Sequence, residues 1–513
     1  MNTAETLNSK IALKELLEGL VDLGDSVHDY SKVMIAGVQL DSRLLNPGDL
    51  FLACFGKNHD ARNFVDEAIA QDVAAVFVES GGQWQGHRII DNTPVIAIDN
   101  LSAKLSEIAS RFYDRPSERL SVIGITGTNG KTSCSHFIAQ SLSEMNRRCG
   151  VIGTLGYGVQ GELKETQLTT PDAVFTQMAL AQMVEQNVDP VVIEVSSVGL
   201  HQKRVKAVNF DIAVFTNLSR EHLDYHSSME DYLECKKVLF TMDGLRSAVV
   251  NLDDPYALSI LNSICNKVDI STFSFSNKIA TVYASELEFS RDGYKACIST
   301  PIGSGVISGQ LLGSFNFSNV LAVVATLVSY MSNAEGFTIE SLCSAVSGLS
   351  PVTGRMEIVG DNAGDITAVV DYAHTPDGLK SALVALREHF TGNVWCVFGC
   401  GGNRDKGKRP LMGEFAEIYA DHLVVCDDNP RNEDGDEIVN HILSGIEFPS
   451  NVTIERDRAK AISFALSAAE PGDVVLVAGK GHETYQEIAG KKVIFSDVNH
   501  VRLALQHRVE NRS

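Results

Sequence analysis

The feature that most restricts this chain is the run Gly124-Ile-Thr-Gly127-Thr-Asn-Gly130-Lys131-Thr132. A strand-like stretch, Ser121 to Thr126, leads into it, and a helix-like stretch, Lys131 to Met145, follows. Glycines at such a turn let backbone N–H groups wrap phosphates, and the helix N-terminus behind them adds favourable partial charge. Lys131 would then reach the β- and γ-phosphates, and Thr132 would offer its hydroxyl to magnesium. A mere tight turn needs neither the strand and glycines in register nor the Gly-Lys-Thr ending, so ATP or GTP binding is expected. The cradle is Gly127, Thr128, Asn129, Gly130, Lys131, Thr132 and Ser133. The standard loop has glycine where Ile125 stands, and Gly127 supplies the turn two residues later, which disfavours GTPases and motors.

Strand, glycine turn and helix in that order form a mononucleotide-binding unit of an α/β fold. The 513 residues exceed one ordinary core, so several domains are expected. Residues 1–100 mix short β-like runs, Ala74 to Val78 and Val95 to Ile98, with turns such as Asn46-Pro47-Gly48-Asp49. Residues 101–349 hold the loop and the buried-strand candidates Val191 to Val195 and Asp211 to Phe215. In residues 350–513, apolar strands at Ala368 to Val370, Val394 to Phe398, Leu423 to Cys426 and Val474 to Val477 alternate with helical patterns at Gly378 to His389 and Arg456 to Ala469. That alternation predicts a parallel, Rossmann-like C-terminal sheet beside a phosphate-loop central parallel sheet.

A formal net charge of −22 argues against nonspecific nucleic-acid or membrane-surface binding. The N-terminus lacks a leader pattern, and no apolar run approaches the roughly 20 residues that span a bilayer, so a cytoplasmic protein without a membrane partner is expected. The ten cysteines are scattered, and the close pair Cys396 and Cys400 lacks companions for a metal site, so reduced structural thiols are expected.

Three polar segments of the central region lie where ligand loops belong: Thr169-Thr170-Pro171-Asp172, Glu194-Val-Ser196-Ser197, and Asn217-Leu-Ser-Arg220-Glu-His222-Leu-Asp224-Tyr-His226. Glu194 at a strand end and His222 in a polar turn can supply oxygen and nitrogen ligands to magnesium, although a lone histidine is more often structural. The C-terminal region carries Asp371-Tyr-Ala-His374, Gly399-Cys-Gly-Gly-Asn403-Arg404, Asp428-Asn429-Pro430-Arg431 and Gly479-Lys-Gly481-His-Glu483, each just after an expected strand. Any one could be a turn; four at one sheet edge argue for a zwitterionic substrate and a nucleotide.

With its loop variant and these segments, the chain resembles the Mur ligase family, which joins a carboxylate to an amine through an acyl phosphate. The resemblance implies a three-domain α/β architecture, ATP and Mg2+ as cofactors, and a role in peptidoglycan precursor synthesis. It implies that Lys131, Glu194, His222 and Lys236 carry the chemistry, with Thr132, Glu194, His222 and Lys236 at the metals. Lys236 matches a lysine such ligases carboxylate on Nζ; by itself it reads as part of a surface helix. Asn316, Arg355 and Asp371 match nucleotide contacts. Leu40, Ser42, Lys57, Asn58 and His59 resemble a uridine-nucleotide platform, and Thr169, Thr170, Ser196, Gln202 and Arg204 the positions holding the muramoyl peptide of UDP-MurNAc-L-Ala-D-Glu. Many relatives have histidine where Val198 stands; that residue and His201 receive no role.

Arg404, Asp428, Asn429, Pro430, Arg431, Gly479 and Glu483 match the amino-acid pocket. The intact Asp428 to Arg431 segment resembles members that add meso-2,6-diaminopimelate, whose distal carboxylate a guanidinium can grip bidentately. Lysine offers that arginine nothing, so a buried unpaired Arg431 would penalise it. The alternatives are a lysine-adding or folate-glutamating ligase and, in a different class, a phosphate-loop regulatory ATPase. A monomer is expected.

Overall fold

Apolar runs bounded by glycine and polar turns form the strands, and amphipathic or wholly apolar helices cover them. The computed structural model describes residues 10–21, 29–56, 59–166, 168–223, 225–332, 334–360 and 365–512. Three large sheets follow one another along the chain. The first has five strands in the order Gly37–Gln39, Asp49–Ala53, Ala75–Glu79, Thr93–Ile98, His87–Ile90, all parallel except the last. The helix Leu101–Phe112 packs its Leu101, Ile108, Ala109 and Phe112 into the same core as Leu50, Phe77 and Ile96.

The second sheet has ten strands. From Gly150–Gly153 through Val191–Glu194, Val122–Thr126, Ile212–Phe215, Ser247–Asn251 and Asp269–Ser274 to Val282–Ser290 they run parallel. The expectation of a parallel central sheet needs correction at both edges. Gly156–Val159 pairs antiparallel at one edge, and Gly293–Thr300 and Gly303–Gly309 extend the other as an antiparallel meander. Those two strands alternate buried and exposed residues, so they lack the continuous apolar runs that mark the inner strands.

The helices Lys131–Glu144 and Ser314–Met331 lie in one apolar core, where Phe137, Ile138 and Leu142 join Phe317, Leu321 and Val324. Each such side chain contributes roughly 1.5–3 kcal/mol by leaving water. Ser314–Met331 also departs from the sequence reading: at 18 residues and mean hydropathy 1.3 it is long and apolar enough to cross a membrane, yet 72% of it is buried inside the protein.

The third sheet has six strands, in the order Glu357–Val359, Thr367–Asp371, Val474–Ala478, Val394–Phe398, His422–Val425, Val452–Ile454, parallel except at Glu357–Val359. The helices Pro376–His389 and Arg458–Ala468 feed cores that include Leu383 and Leu386, and Ile462 and Leu466. The mixed-edge α/β layers match the expected fold class, with a phosphate-loop central sheet and a Rossmann-like C-terminal one.

Candidate active site

Strand register places the central loops together. Val122–Thr126 lies between Val191–Glu194 and Ile212–Phe215, with Glu194 paired to Ile125 and Phe215 to Thr126. Val122–Thr126 leads on to Gly150–Gly153 on one side and its neighbour Ile212–Phe215 to Ser247–Asn251 on the other, and ligands bind outside the carboxyl ends at such a switch point. Gly127 (φ 153°) and Gly130 (φ 86°) shape the loop there. A Cβ at Gly127 would overlap the Thr216 hydroxyl, and one at Gly130 the Asn319 amide. Lys131 Nζ donates to the Gly127 and Thr128 carbonyls, both at 2.8 Å. Burial pushes its pKa down, opposed by the Glu221 and Glu194 carboxylates.

Glu194 is fully buried. It accepts the Thr132 hydroxyl at 2.8 Å, and the Thr154 amide and hydroxyl at 3.0 Å each. A Cβ at Gly153 would overlap Oε1, so the carboxylate stands where it does because that residue is glycine. Hydroxyls relay onward: with its proton on the Glu194 side, Thr154 Oγ1 accepts from Thr169 Oγ1 at 3.0 Å, and Thr170 Oγ1 lies 2.8 Å from the Glu194 carbonyl and 3.0 Å from Ser196 Oγ. Arg204 donates to the Thr170 carbonyl at 2.6 Å and to Gln202 Oε1.

Lys236 corrects the surface reading. It is 1% exposed, donates to the Gly127 carbonyl at 2.9 Å, and lies 4.4 Å from the Tyr232 ring centroid. Among the described residues no carboxylate approaches it within 4.0 Å. Burial, then the nearby Lys131 ammonium, hold its pKa well below the ordinary lysine value. Lys237, on another helix face, pairs with Glu234 at 2.6 Å.

His222 sits in a left-handed conformation (φ 57°) with Nε2 3.8 Å from Glu221 Oε2. Glu221 Oε1 lies 3.7 Å from His374 Nε2, so this carboxylate spans the central and C-terminal sheets. Burial pushes Glu221 up, but the His374 hydrogen bond and the His222, His374 and Lys131 charges outweigh it and hold the carboxyl at about 2. Arg355 also crosses that seam, with Nη2 3.5 Å from Thr132 Oγ1, its guanidinium 4.5 Å from the Tyr372 ring centroid, and Nε buried without a protein partner among the described residues.

A cavity of about 1400 Å³ lies between the two sheets. Thr169, Thr170, Ser196, Arg204 and His222 line it from the central region; Arg404, Asp428, Asn429, Arg431, Gly479 and Glu483 line it from the C-terminal one. Asn429 donates to Glu483 Oε2 at 2.9 Å and accepts from Lys480 Nζ at 3.0 Å; Lys480 also donates to Glu483 Oε2 at 2.6 Å. Arg431 Nη1 donates to the Gly402 carbonyl at 2.7 Å, while Nε lies 3.2 Å from Glu487 Oε2. Arg404 is exposed, and Asp428 Oδ2 is buried without a partner among the described residues.

Three family models match the chain: the Mur ligase family catalytic domain over residues 34–113, the Mur ligase middle domain over 125–327, and the Mur ligase glutamate ligase domain over 354–481. The UDP-N-acetylmuramoyl-L-alanyl-D-glutamate--2,6-diaminopimelate ligase of Coxiella burnetii is 44% identical over 477 residues, 92% of this chain and 96% of its own. The chain belongs to the Mur ligase family. The like-named ligase of Pseudomonas putida is 44% identical to this Mur ligase over 93% of this chain and 96% of its own. A solved structure of a ligase of that name superposes with a TM-score of 0.69 at 34% identity, covering 98% of this chain and 99% of that one.

Other expected residues of this Mur ligase lie apart from the cavity. Leu40, Ser42 and His59 lie in the loops beside the first two strands of the N-terminal sheet and do not line it; Lys57 and Asn58 lie outside the described residues. Ser42 opens a short helical turn capped by Asp41, which accepts from Arg43 N at 3.0 Å. Gln202 and Pro430 flank the cavity without lining it. Asn316 is buried, donating to the Leu312 carbonyl at 2.9 Å, and its Oδ1 accepts from Asn319, the residue behind Gly130. Asp371 accepts from Met356 N at 2.7 Å, and burial raises its pKa. Sequence reasoning passed over Glu221, Lys480 and Glu487; for the first two the only signal was their place inside quoted motifs.

Proposed function

We propose that this Mur ligase uses ATP to activate the D-glutamate carboxylate of UDP-MurNAc-L-Ala-D-Glu and joins it to meso-2,6-diaminopimelate, in peptidoglycan precursor synthesis. One observation carries the reading: a single cavity is lined both by Thr169, Thr170, Ser196 and Arg204 and by Arg404, Asn429, Arg431 and Glu483. A carboxylate and an amine held by those two sets meet in one space, in a chain 44% identical to ligases of that name.

The loop fits a nucleotide. Its glycines leave room a Cβ would fill, and the orphaned Arg355 Nε and the Lys131 ammonium both need an anion. Lys131 exchanges its loop carbonyls for phosphate oxygens, the backbone N–H groups hold the β-phosphate, and Asn316 and Asp371 lie beside the nucleotide. The carboxylate oxygen attacks the γ-phosphorus and ADP leaves; the diaminopimelate amine then attacks the acyl carbon, the carbon–oxygen bond to phosphate breaks, and the proton lost from nitrogen leaves with the phosphate. Positioning and charge screening supply most of the rate.

Thr132, Glu194 and His222 form a donor set suited to Mg2+, which when bound screens the phosphate and carboxylate charges. Burial and the Lys131 charge favour the uncharged form of the Lys236 amine, which suits it to carbamylation: Nζ bonds to the carbon of CO2, a proton leaves to solvent, and the amine becomes an anion able to face the metal. Arg431 and Arg404 take the distal carboxylate of diaminopimelate, and Asn429 and Glu483 its amino end. The N-terminal residues Leu40, Ser42, Lys57, Asn58 and His59 serve the uridine nucleotide, and closure of the C-terminal region over the cavity excludes water. The enzyme works as a cytoplasmic monomer.

Incubation of the protein with ATP, Mg2+, UDP-MurNAc-L-Ala-D-Glu and diaminopimelate, followed by mass spectrometry, tests this. The tripeptide product is expected; ADP without tripeptide would identify an ATPase instead.

A further inference from the structure

Beside the reaction centre, on the stripe of the Met229–Lys237 helix adjoining the one that carries Tyr232 and Lys236, lies a group the ligase chemistry does not use. Asp231 and Cys235 stand four residues apart, so their side chains share one helix face. His226, in the preceding turn, points Nδ1 at both, 3.7 Å from Asp231 Oδ2 and 3.8 Å from Cys235 Sγ. All three potential ligand atoms lie within 4.8 Å of one another. His226 and Cys235 are buried, whereas Asp231 keeps one side toward solvent.

We infer that His226, Asp231 and Cys235 form a site for one thiophilic divalent cation of the zinc class, separate from the magnesium positions. Around a tetrahedral zinc with bonds of ~2.0–2.3 Å, neighbouring ligand atoms stand ~3.3–3.7 Å apart. Two of the three separations therefore need only a few tenths of an ångström to close. The outer contacts are those of a metal-holding histidine. His226 Nε2 lies 2.9 Å from Ser197 Oγ, and a proton placed there leaves the Nδ1 lone pair facing the other two ligands. Asp231 Oδ2 is steadied by the Ser227 amide at 3.0 Å and hydroxyl at 3.2 Å. The thiol gives its proton to solvent on ligation, and the solvent side of Asp231 leaves the fourth position to water.

The nitrogen, sulfur and single-carboxylate set selects against magnesium, which prefers oxygen and retains its water. Occupation would fasten the turn to the helix carrying Lys236. The turn is already joined to His222 through the His226 N–H, which donates to the His222 carbonyl at 2.9 Å. The cation would thus brace the segment between two residues of the proposed reaction centre.

Cobalt(II) titration of the reduced full-length protein with excess magnesium tests the site, because a thiolate ligand gives a near-ultraviolet charge-transfer band that oxygen-bound cobalt lacks. The expected result is a band saturating at one equivalent, abolished in Cys235→Ser, with affinity at least tenfold weaker in Asp231→Asn. Zinc should raise the Tm of the wild type and not of Cys235→Ser, whose far-ultraviolet dichroism should be unchanged. No band in the wild type, or the same band in Cys235→Ser, overturns the assignment.

Discussion

Thr132 Oγ1 and Glu194 Oε2 stand 2.8 Å apart, joining the first turn of the phosphate-loop helix to the end of the neighbouring strand. The contact exists because Gly153, on the next strand over, carries no Cβ where Glu194 Oε1 sits. Gly153→Ala should therefore displace the carboxylate without touching any expected substrate contact. Outer supports of this kind are worth roughly 10- to 100-fold in metal affinity or activity. Steady-state kinetics should show kcat down by that factor and a raised magnesium requirement, with unchanged circular dichroism.

Lys236 is buried against Gly127, and burial pushes its pKa down, which favours the uncharged amine that reacts with CO2. Protein equilibrated with 13C-bicarbonate should show one carbamate carbonyl resonance that Lys236→Arg lacks. Lys236→Ala should lose kcat by roughly 100- to 1000-fold. An unmodified amine at ample bicarbonate contradicts the carbamate.

Arg431 is held by Gly402 O and Glu487 while its side chain remains at the cavity wall. Arg431→Ala should lower kcat/KM for diaminopimelate by ~10- to ~100-fold, the worth of a charge-assisted hydrogen bond of roughly 1.5–3 kcal/mol. Lysine turnover should hold or rise. Equal losses with both amino acids would remove Arg431 as the selector.

His482 and Glu221 give stability two distinct acid limits. Burial, then the charges of Arg355, His374 and Lys480, lower His482 from 6.5 to about 4. Between those values the unfolded chain binds more protons, so stability is full above pH 6.5 and falls as pH drops toward 4, by on the order of 3 kcal/mol. Glu221, lowered from 4.5 to about 2, adds stability above pH 4.5 that is lost as pH falls through 2. Tm against pH should flatten between 6.5 and 4 in His482→Asn and only below 4.5 in Glu221→Gln.

The parallel strands and the phosphate loop were legible because each is local: an apolar run, a glycine pattern, a helix start. Strands such as Val122–Thr126 and Val394–Phe398 fall within a residue of the expected runs. The meander at Gly293–Thr300 and Gly303–Gly309 was missed because its half-exposed strands mix small polar residues with apolar ones. Lys236 looked like a surface lysine because helical spacing does not reveal what covers a face; the covering is the phosphate loop at Gly127, brought in by the fold. Glu221 meets distant His374 as well as its neighbour His222, and Lys480 meets distant Asn429 as well as nearby Glu483, and the distant half of each pairing has no signal in the local sequence. In the expected uridine platform, Leu40, Ser42 and His59 lie outside the cavity that gathers the muramoyl-peptide and amino-acid residues.

Phosphate release measured with UDP-MurNAc-L-Ala-D-Glu and ATP present, diaminopimelate or lysine being added in turn, tests the central claim most directly. The account predicts release only when both carboxylate and amine substrates are present, with diaminopimelate strongly preferred. Phosphate release from ATP alone, or equal turnover with lysine, would contradict it.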